Sequence, residues 1–209
     1  MKKFELPHGL YGITAEEYSL GRSNIEVVKA MIEGGIKIIQ YREKENKTFD
    51  QKLLECREIR EITRKNKVIF IINDYVDVAN AVHADGLHLG QDDMSIKDAR
   101  KLFNGIIGIS THSPEQANKA VADGADYIGV GPIFPTKTKK NCMAAVGLES
   151  LEYAVKNVNI PFVAIGGIKE HNIQQVINLG ARTVALVTEI VGSKNIPLKI
   201  KTLQAKFTN

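Results

Sequence analysis

The sequence predicts a (β/α)8 barrel, and three observations carry that prediction. First, four fragments share one shape: "MIEGGIKIIQ", "AVHADGLHLG", "AVADGADYIGV" and "VINLGARTVALV". Each reads as the end of a helix, a glycine and a short strand, and glycine after a helix is the usual left-handed cap. A shape that recurs along the whole chain implies one unit used repeatedly. Second, strand and helix patterns alternate eight times, so 209 residues give about 26 per unit, which suits a compact barrel. Third, the strand candidates are short unbroken apolar runs, as expected where a parallel sheet is covered on both faces. The competing architecture is an open doubly wound sheet. It usually has fewer units, and its dinucleotide fingerprint is missing: "GVGPIF" supplies two glycines and no third.

The elements follow in order. Strand 10–14 precedes a helix through "NIEVVKAMIEG", with Ser23 as cap and Ile25, Val28 and Ile32 on one face. Strand 36–40 precedes "TFDQKLLECREIREITRK", where Phe49, Leu53, Cys56, Ile59 and Ile62 fall at helical spacing. Strands 68–72 and 86–89 lead into "YVDVANAV" and "SIKDARKLF". Strand 106–109 precedes "SPEQANKAVADG", with Ser113 as cap, Pro114 first in the helix and Glu115 in its first turn. Strands 127–130, 161–165 and 183–187 complete the eight, with helices "KEHNIQQVINLG" and "NIPLKIKTLQAKF". No linker or low-complexity stretch interrupts residues 1–209, so one domain is expected.

Composition narrows the function. The chain is 44% hydrophobic and 25% charged, a globular balance, with net charge +4 and a pI near 8.9. That surplus is too mild to argue for nucleic acid, and no basic stripe with interleaved aromatics is present; it suits small anionic substrates. "MKKFELPHGLYGIT" lacks the apolar core of a secretory signal. No apolar run approaches the roughly 18 residues of a membrane span. Cys56 and Cys142 make neither a disulfide framework nor a zinc knuckle. A cytoplasmic protein acting on small molecules is expected; nothing in the sequence sets an oligomeric state.

In a barrel of this kind the active site forms where strands end. Strand 2 runs into "QYREK": alternation puts Gln40, Arg42 and Lys44 on one side, Tyr41 and Glu43 on the other. Arg42 and Lys44 together make an anion clamp, one a fork and the other a point charge. Strand 3 ends in Asn73 and Asp74, and strand 4 ends "HLGQDD" with Asp92 and Asp93. Helix capping would explain one acid at each end. Neighbouring strands lie about 5 Å apart, so acids at their ends can also share a cation. Hard oxygen ligands without a histidine or cysteine cluster point to Mg²⁺. Strand 5 offers Ser110 and His112, and the loop after strand 6 offers Thr136, Lys137, Thr138 and Lys139. Gly166 and Gly167 follow strand 7, and Val187 and Thr188 end strand 8, a usual phosphate position of this fold. Cys56 reads as core, His88 as lining the barrel, and His8, His83 and His171 as surface. No activated nucleophile stands out.

With "QYREK", "INDYVDVANAVHADGLHLGQDD", "GISTHSPEQANKAVADGADYIGVGPIFPTKTKK" and "PFVAIGGI" in hand, the chain resembles the thiamine-phosphate synthase family over about residues 10 to 190. The resemblance implies condensation of a hydroxymethylpyrimidine diphosphate with a thiazole or carboxythiazole phosphate, giving thiamine phosphate and pyrophosphate, with Mg²⁺ as cofactor. It implies that Gln40, Tyr41, Arg42, Glu43, Lys44, Asn73, Ser110 and Lys139 serve the pyrimidine diphosphate. The same resemblance implies Arg42, Lys44, Ser110 and Lys139 as the catalytic set, and Asp74 and Asp93 as the metal ligands. Thr136, Lys137, Thr138, Gly167, Val187 and Thr188 are implied for the thiazole phosphate. "LVTEI" departs from the family's more usual serine then alanine, and Glu189 brings a negative charge toward that phosphate. Competing readings are the thiazole tautomerase of the same barrel family, a non-catalytic phosphate-binding regulator, and an unrelated sugar-phosphate isomerase or aldolase.

Overall fold

A computed structural model describes residues 4–43, 47–136 and 144–208. The first stave is broken in two, β1 (Gly9–Leu10) and β2 (Gly12–Ile13), on either side of Tyr11. The other strands are β3 (Ile38–Tyr41), β4 (Ile69–Asn73), β5 (Gly86–Leu89), β6 (Ile106–Thr111), β7 (Tyr127–Val130), β8 (Phe162–Ile165) and β9 (Thr183–Ala185). Helices α1 (Asn24–Glu33), α2 (Phe49–Lys65), α3 (Val76–Ala81), α4 (Ile96–Leu102), α5 (Pro114–Ala122), α6 (Gly147–Asn157) and α7 (Ile173–Asn178) fill the crossovers. Two more, α8 (Val187–Val191) and α9 (Ile196–Gln204), follow β9. Every ladder is parallel, β1 pairs with β9 and β2 pairs with β3. Because β1 and β2 belong to one stave, the sheet closes on itself as the expected (β/α)8 barrel. No described helix is long and apolar enough to cross a membrane.

Two apolar clusters divide along the period of two. Ile39, Tyr41, Phe70, Ile72, Leu87, Ile107 and Val184 pack with helix residues such as Val27, Cys56 and Ile200, outside the barrel. Tyr11, Ile13, Ile38, Ile71, Tyr127, Val163 and Ala185 pack with one another, so they fill the lumen. Phe4 and Leu6, ahead of the first stave, pack against this second cluster.

Several expected boundaries and faces move. The run 183–187 leaves the ladder after Ala185, and Val187 opens α8; β propensity in Val187 and Thr188 yields to context, as such preferences do. α1 buries Val27, Val28 and Met31 most deeply, with Ile25 and Ile32 partly buried against the same core; α2 buries Lys52, Cys56, Ile59 and Thr63, with Leu53 and Ile62 partly buried and Phe49 exposed. Capping follows expectation at Ser23 and Ser113, whose side chains accept from Glu26 N and Gln116 N. Of the four junction fragments, three place a glycine in the left-handed region: Gly35, Gly124 and Gly180. In "AVHADGLHLG" His83 takes that conformation at φ +51°. Gly86 there serves packing, since a Cβ would come 2.5 Å from Ile71 Cδ1.

Beneath the strands one device is used twice. Asp85 precedes β5 and accepts both arms of Arg60 at 2.7 and 2.9 Å, while its Oδ2 also accepts Phe70 N–H at 2.8 Å. Asp126 precedes β7 and takes Arg100 at 2.7 Å and Ile107 N–H at 2.8 Å. Both ion pairs are partly exposed, so each contributes about 1 kcal/mol or less. Stranding the N–H of fully buried Phe70 is the larger cost. Asp85→Ala is expected to lower stability by about 2 kcal/mol, or roughly 5 °C in Tm, with Asp85→Asn losing less because it keeps an acceptor. Thermal and urea unfolding of both variants measures the difference.

Candidate active site at the C-terminal ends of the strands

The clamp is built from the end of β3. Gln40 enters the lumen and donates Nε2–H to Tyr11 Oη at 3.0 Å. Tyr41 and Glu43 face the other way: Tyr41 donates to Glu55 Oε2 at 2.6 Å, and Glu43 accepts from Asn24 Nδ2 at 3.1 Å. Those two candidates therefore stand behind the strand, against α1 and α2, and not in the lumen. Arg42 N–H is held by Thr14 Oγ1 at 2.9 Å. Its Nε is buried with no hydrogen-bond partner among the described residues. A buried guanidinium N–H is costly unless an acceptor meets it, and an anion supplies the strongest kind. Lys44 lies outside the described residues.

A second layer fixes the stretch that bears Arg42. Glu55 accepts from Tyr41, from Asn24 Nδ2 at 3.2 Å and from Lys47 Nζ at 2.8 Å, while Lys47 also pairs with Glu16. This ties α1, α2 and the turn before α1 to the chain on either side of the clamp. Burial and the Glu55 bond push the Tyr41 phenol far above its ordinary range, so it remains a donor.

The two acids stand at the ends of adjacent strands, since β4 pairs with β5 through Asn73 and His88. Asn73 is buried, and Asp74 turns out of the strand at φ +65° with its N–H donated to His88 O at 2.9 Å. A non-glycine residue held there is uncommon and tends to mark functional positions. Capping does not explain either acid. Tyr75 stands at the α3 cap without a side-chain cap bond, and Ser95 caps α4. Asp93 is oriented by its own turn, where Gly90 N–H donates to Oδ2 at 2.6 Å. Among the described residues no three His, Cys, Asp or Glu side chains gather as a metal cage. Two carboxylates without nitrogen or sulfur suit Mg²⁺, which completes its shell with water and substrate phosphate.

Across the lumen runs a chain of polar groups that sequence reasoning did not assemble. Tyr11 Oη lies 2.9 Å from Tyr127 Oη, Tyr127 Oη lies 2.9 Å from His88 Nδ1, and His88 Nε2 lies 3.0 Å from Ser110 Oγ. Burial pushes both phenols well above their usual range. Gly108 makes room: a Cβ there would come 2.1 Å from Tyr127 Cζ. The available signal was the placement of Tyr11 and Tyr127 at lumen positions among apolar residues. His112 is engaged by Gly131 O and donates its N–H to Gln116 at 2.7 Å.

The second phosphate candidates gather around the loops after β7 and β8. Phe134 N–H donates to Gly166 O at 2.9 Å. Gly167 lies at φ +64°, and a Cβ there would come within 2.6 Å of both Phe134 O and Pro135 O. This binds the segment leading to Thr136 onto the double-glycine turn. Lys169, missed from sequence, donates to Thr188 Oγ1 at 2.8 Å and lies 3.3 Å from Glu189. Glu189 also lies 3.7 Å from Lys199 of α9, so its charge is balanced by lysines. Lys137, Thr138, Lys139 and Cys142 lie outside the described residues.

Fold and site together define a class: a parallel barrel with an arginine, strand-end acids and glycine-rich loops at the C-terminal ends of its strands, the place where such barrels act on small molecules. The profile of the family described as thiamine monophosphate synthase matches residues 10–190. A thiamine-phosphate synthase of Pelotomaculum thermopropionicum is 62% identical over 94% of this chain and 90% of its own. One from Caldicellulosiruptor saccharolyticus is 55% identical over 94% and 89%. The solved thiamine phosphate pyrophosphorylase of Pyrococcus furiosus superposes with TM-score 0.88 at 36% identity, over 96% and 95% of the two chains. A 3-hexulose-6-phosphate synthase, at 18% identity and TM-score 0.65, shares the fold alone. The chain belongs to the thiamine monophosphate synthase family, and its activity is thiamine-phosphate synthesis, a group transfer that releases pyrophosphate.

The layer behind the clamp yields a test. Glu55→Ala strands the buried Tyr41 hydroxyl without its acceptor, while Lys47 keeps Glu16. The expected loss is about 2 kcal/mol of stability, the scale of one stranded buried donor, whereas Glu55→Gln keeps an acceptor and loses less. Urea midpoints of the two variants compare them.

Proposed function

We propose that Gln40, Arg42, Lys44, Asn73, Ser110 and Lys139 bind the pyrimidine diphosphate, and that Thr136, Lys137, Thr138, Gly167, Val187 and Thr188 bind the (carboxy)thiazole phosphate. The observation that carries this reading is the buried Arg42 Nε, which has no acceptor among the described residues and stands two residues beyond the lumen-facing Gln40. A diphosphate at the strand ends, with its pyrimidine directed into the lumen, gives both groups a purpose. Lys169 orients Thr188 beside the second site, with its own charge met by Glu189.

The chemistry follows from charge. The bond from the exocyclic methylene carbon to the diphosphate oxygen breaks, and its electron pair leaves with pyrophosphate. The thiazole nitrogen donates its lone pair to that carbon and closes the new C–N bond; a thiazole that carries a carboxylate also loses it as CO2, the electron pair of the broken C–C bond remaining in the aromatic ring. No protein nucleophile is needed, in keeping with the absence of an activated one from the sequence. Arg42 stabilises charge as it builds on the leaving group, an interaction that strengthens toward the transition state. Asn73 and Gln40 orient the pyrimidine, and the glycines after β8 seat the segment leading to Thr136 against that turn. Asp74 and Asp93 would hold Mg²⁺, which when bound supplies further positive charge against the diphosphate.

Mixing the protein, Mg²⁺ and the two phosphorylated heterocycles is expected to yield thiamine phosphate, and EDTA is expected to abolish it until Mg²⁺ is restored. Product formed at full rate in EDTA would remove the metal from the reading. Arg42→Ala is expected to slow single turnover by roughly 10²-fold or more, the scale of one lost transition-state charge contact. A near-parental rate would take Arg42 out of the catalytic set.

A further inference from the structure

The lumen chain has a direction. Gln40 Nε2 can only donate, so Tyr11 Oη accepts from it at 3.0 Å. Were Tyr127 also to donate to Tyr11, Tyr11 would receive two donors. Its own buried proton would then have no acceptor among the described residues. Leaving a buried hydroxyl proton unpaired is the costly outcome. The satisfied arrangement runs one way: Tyr11 donates to Tyr127, and Tyr127 donates to His88 Nδ1 at 2.9 Å. An imidazole that accepts at Nδ1 carries its proton on Nε2, and His88 Nε2 lies 3.0 Å from Ser110 Oγ. Ser110 therefore accepts from His88, and its own proton is turned away from the ring.

We propose that Tyr11 and Tyr127 are positioning residues that act through His88. They fix its Nε2–H tautomer and so turn the Ser110 hydroxyl into a donor aimed at the bound diphosphate ester. This deepens the assignment of Ser110 to the pyrimidine diphosphate and rests on it. Tyr127 suits the task because it is held on every side. Its ring lies over Gly108, 5.5 Å from the His88 ring and 6.2 Å from the Tyr11 ring. Burial keeps both phenols protonated, so each remains able to donate along the chain.

Tyr127→Phe keeps the ring and removes only the hydroxyl. The expected result is a kcat about tenfold lower, the scale of one hydrogen bond, with KM for the thiazole phosphate unchanged. Ser110→Ala combined with Tyr127→Phe is expected to be no slower than Ser110→Ala alone, because both act at one hydroxyl. Nitrogen NMR of histidine-labelled protein, with the signal assigned by its loss in His88→Asn, is expected to show the Nε2–H tautomer. In Tyr127→Phe that preference is expected to weaken. Tyr11→Phe, which breaks the chain one link earlier, is the second variant should Tyr127→Phe fold poorly. Parental kcat in both tyrosine variants, losses that multiply in the double variant, or an Nδ1–H imidazole in the parent would each overturn the proposal. Should the parent make no thiamine phosphate, the assignment of Ser110 to the diphosphate fails, while the NMR still decides the direction of the chain.

Discussion

Closure of the sheet at Tyr11 is the constraint on which the rest depends. The first stave must serve two neighbours, and it does so in two pieces: Gly9 and Leu10 face β9, while Gly12 and Ile13 face β3. Once the ring is closed, the alternation of side chains becomes an inside and an outside with no third choice. Ile39, Tyr41 and Phe70 meet helices; Tyr11, Ile38, Ile71 and Tyr127 meet one another. A slip of one residue at any ladder would exchange those sets. The polar chain from Gln40 to Ser110 is then a consequence of register, because lumen residues from β3, the first stave, β7, β5 and β6 come together there.

The site divides its labour by face. Lumen side chains supply polar contacts, while the outward residues of the same strands hold the backbone still. Tyr41 and Glu43 illustrate the second role, passing through Glu55 and Asn24 to α1 and α2. An arginine must be fixed in place to act on building charge, because a mobile cation would have to be ordered at the moment of reaction. The cluster behind β3 holds the backbone on either side of Arg42, which is what the role proposed for that arginine requires.

Much of this was legible in the sequence. The four helix-glycine-strand fragments give the barrel, and the alternation of "QYREK" places Gln40 and Tyr41 on opposite faces, as found. The strand-end acids were visible, and the caps of α3 and α4 fall on Tyr75 and Ser95 rather than on those acids. What stayed hidden depends on distant pairing. Nothing local says that Tyr11 and Tyr127, 116 positions apart, touch through their hydroxyls. Nor does "LVTEI" reveal that Lys169 and Lys199 flank Glu189. The packed stripes on α1 and α2 are wider than the expected ones because each helix also meets neighbouring helices, and Lys52 can be buried when its ammonium finds the Tyr75 hydroxyl at 2.7 Å.

Gly108 carries an implication for how such a sequence can drift. The missing side chain is the berth of the Tyr127 ring on the adjoining strand, so the two positions behave as a lock with a single key. A methyl group gained at one demands a smaller ring at the other, and each change made first is the harmful one. Evolution of this pair must therefore cross a valley or move both at once, and that difficulty alone would preserve the aromatic at the centre of the barrel.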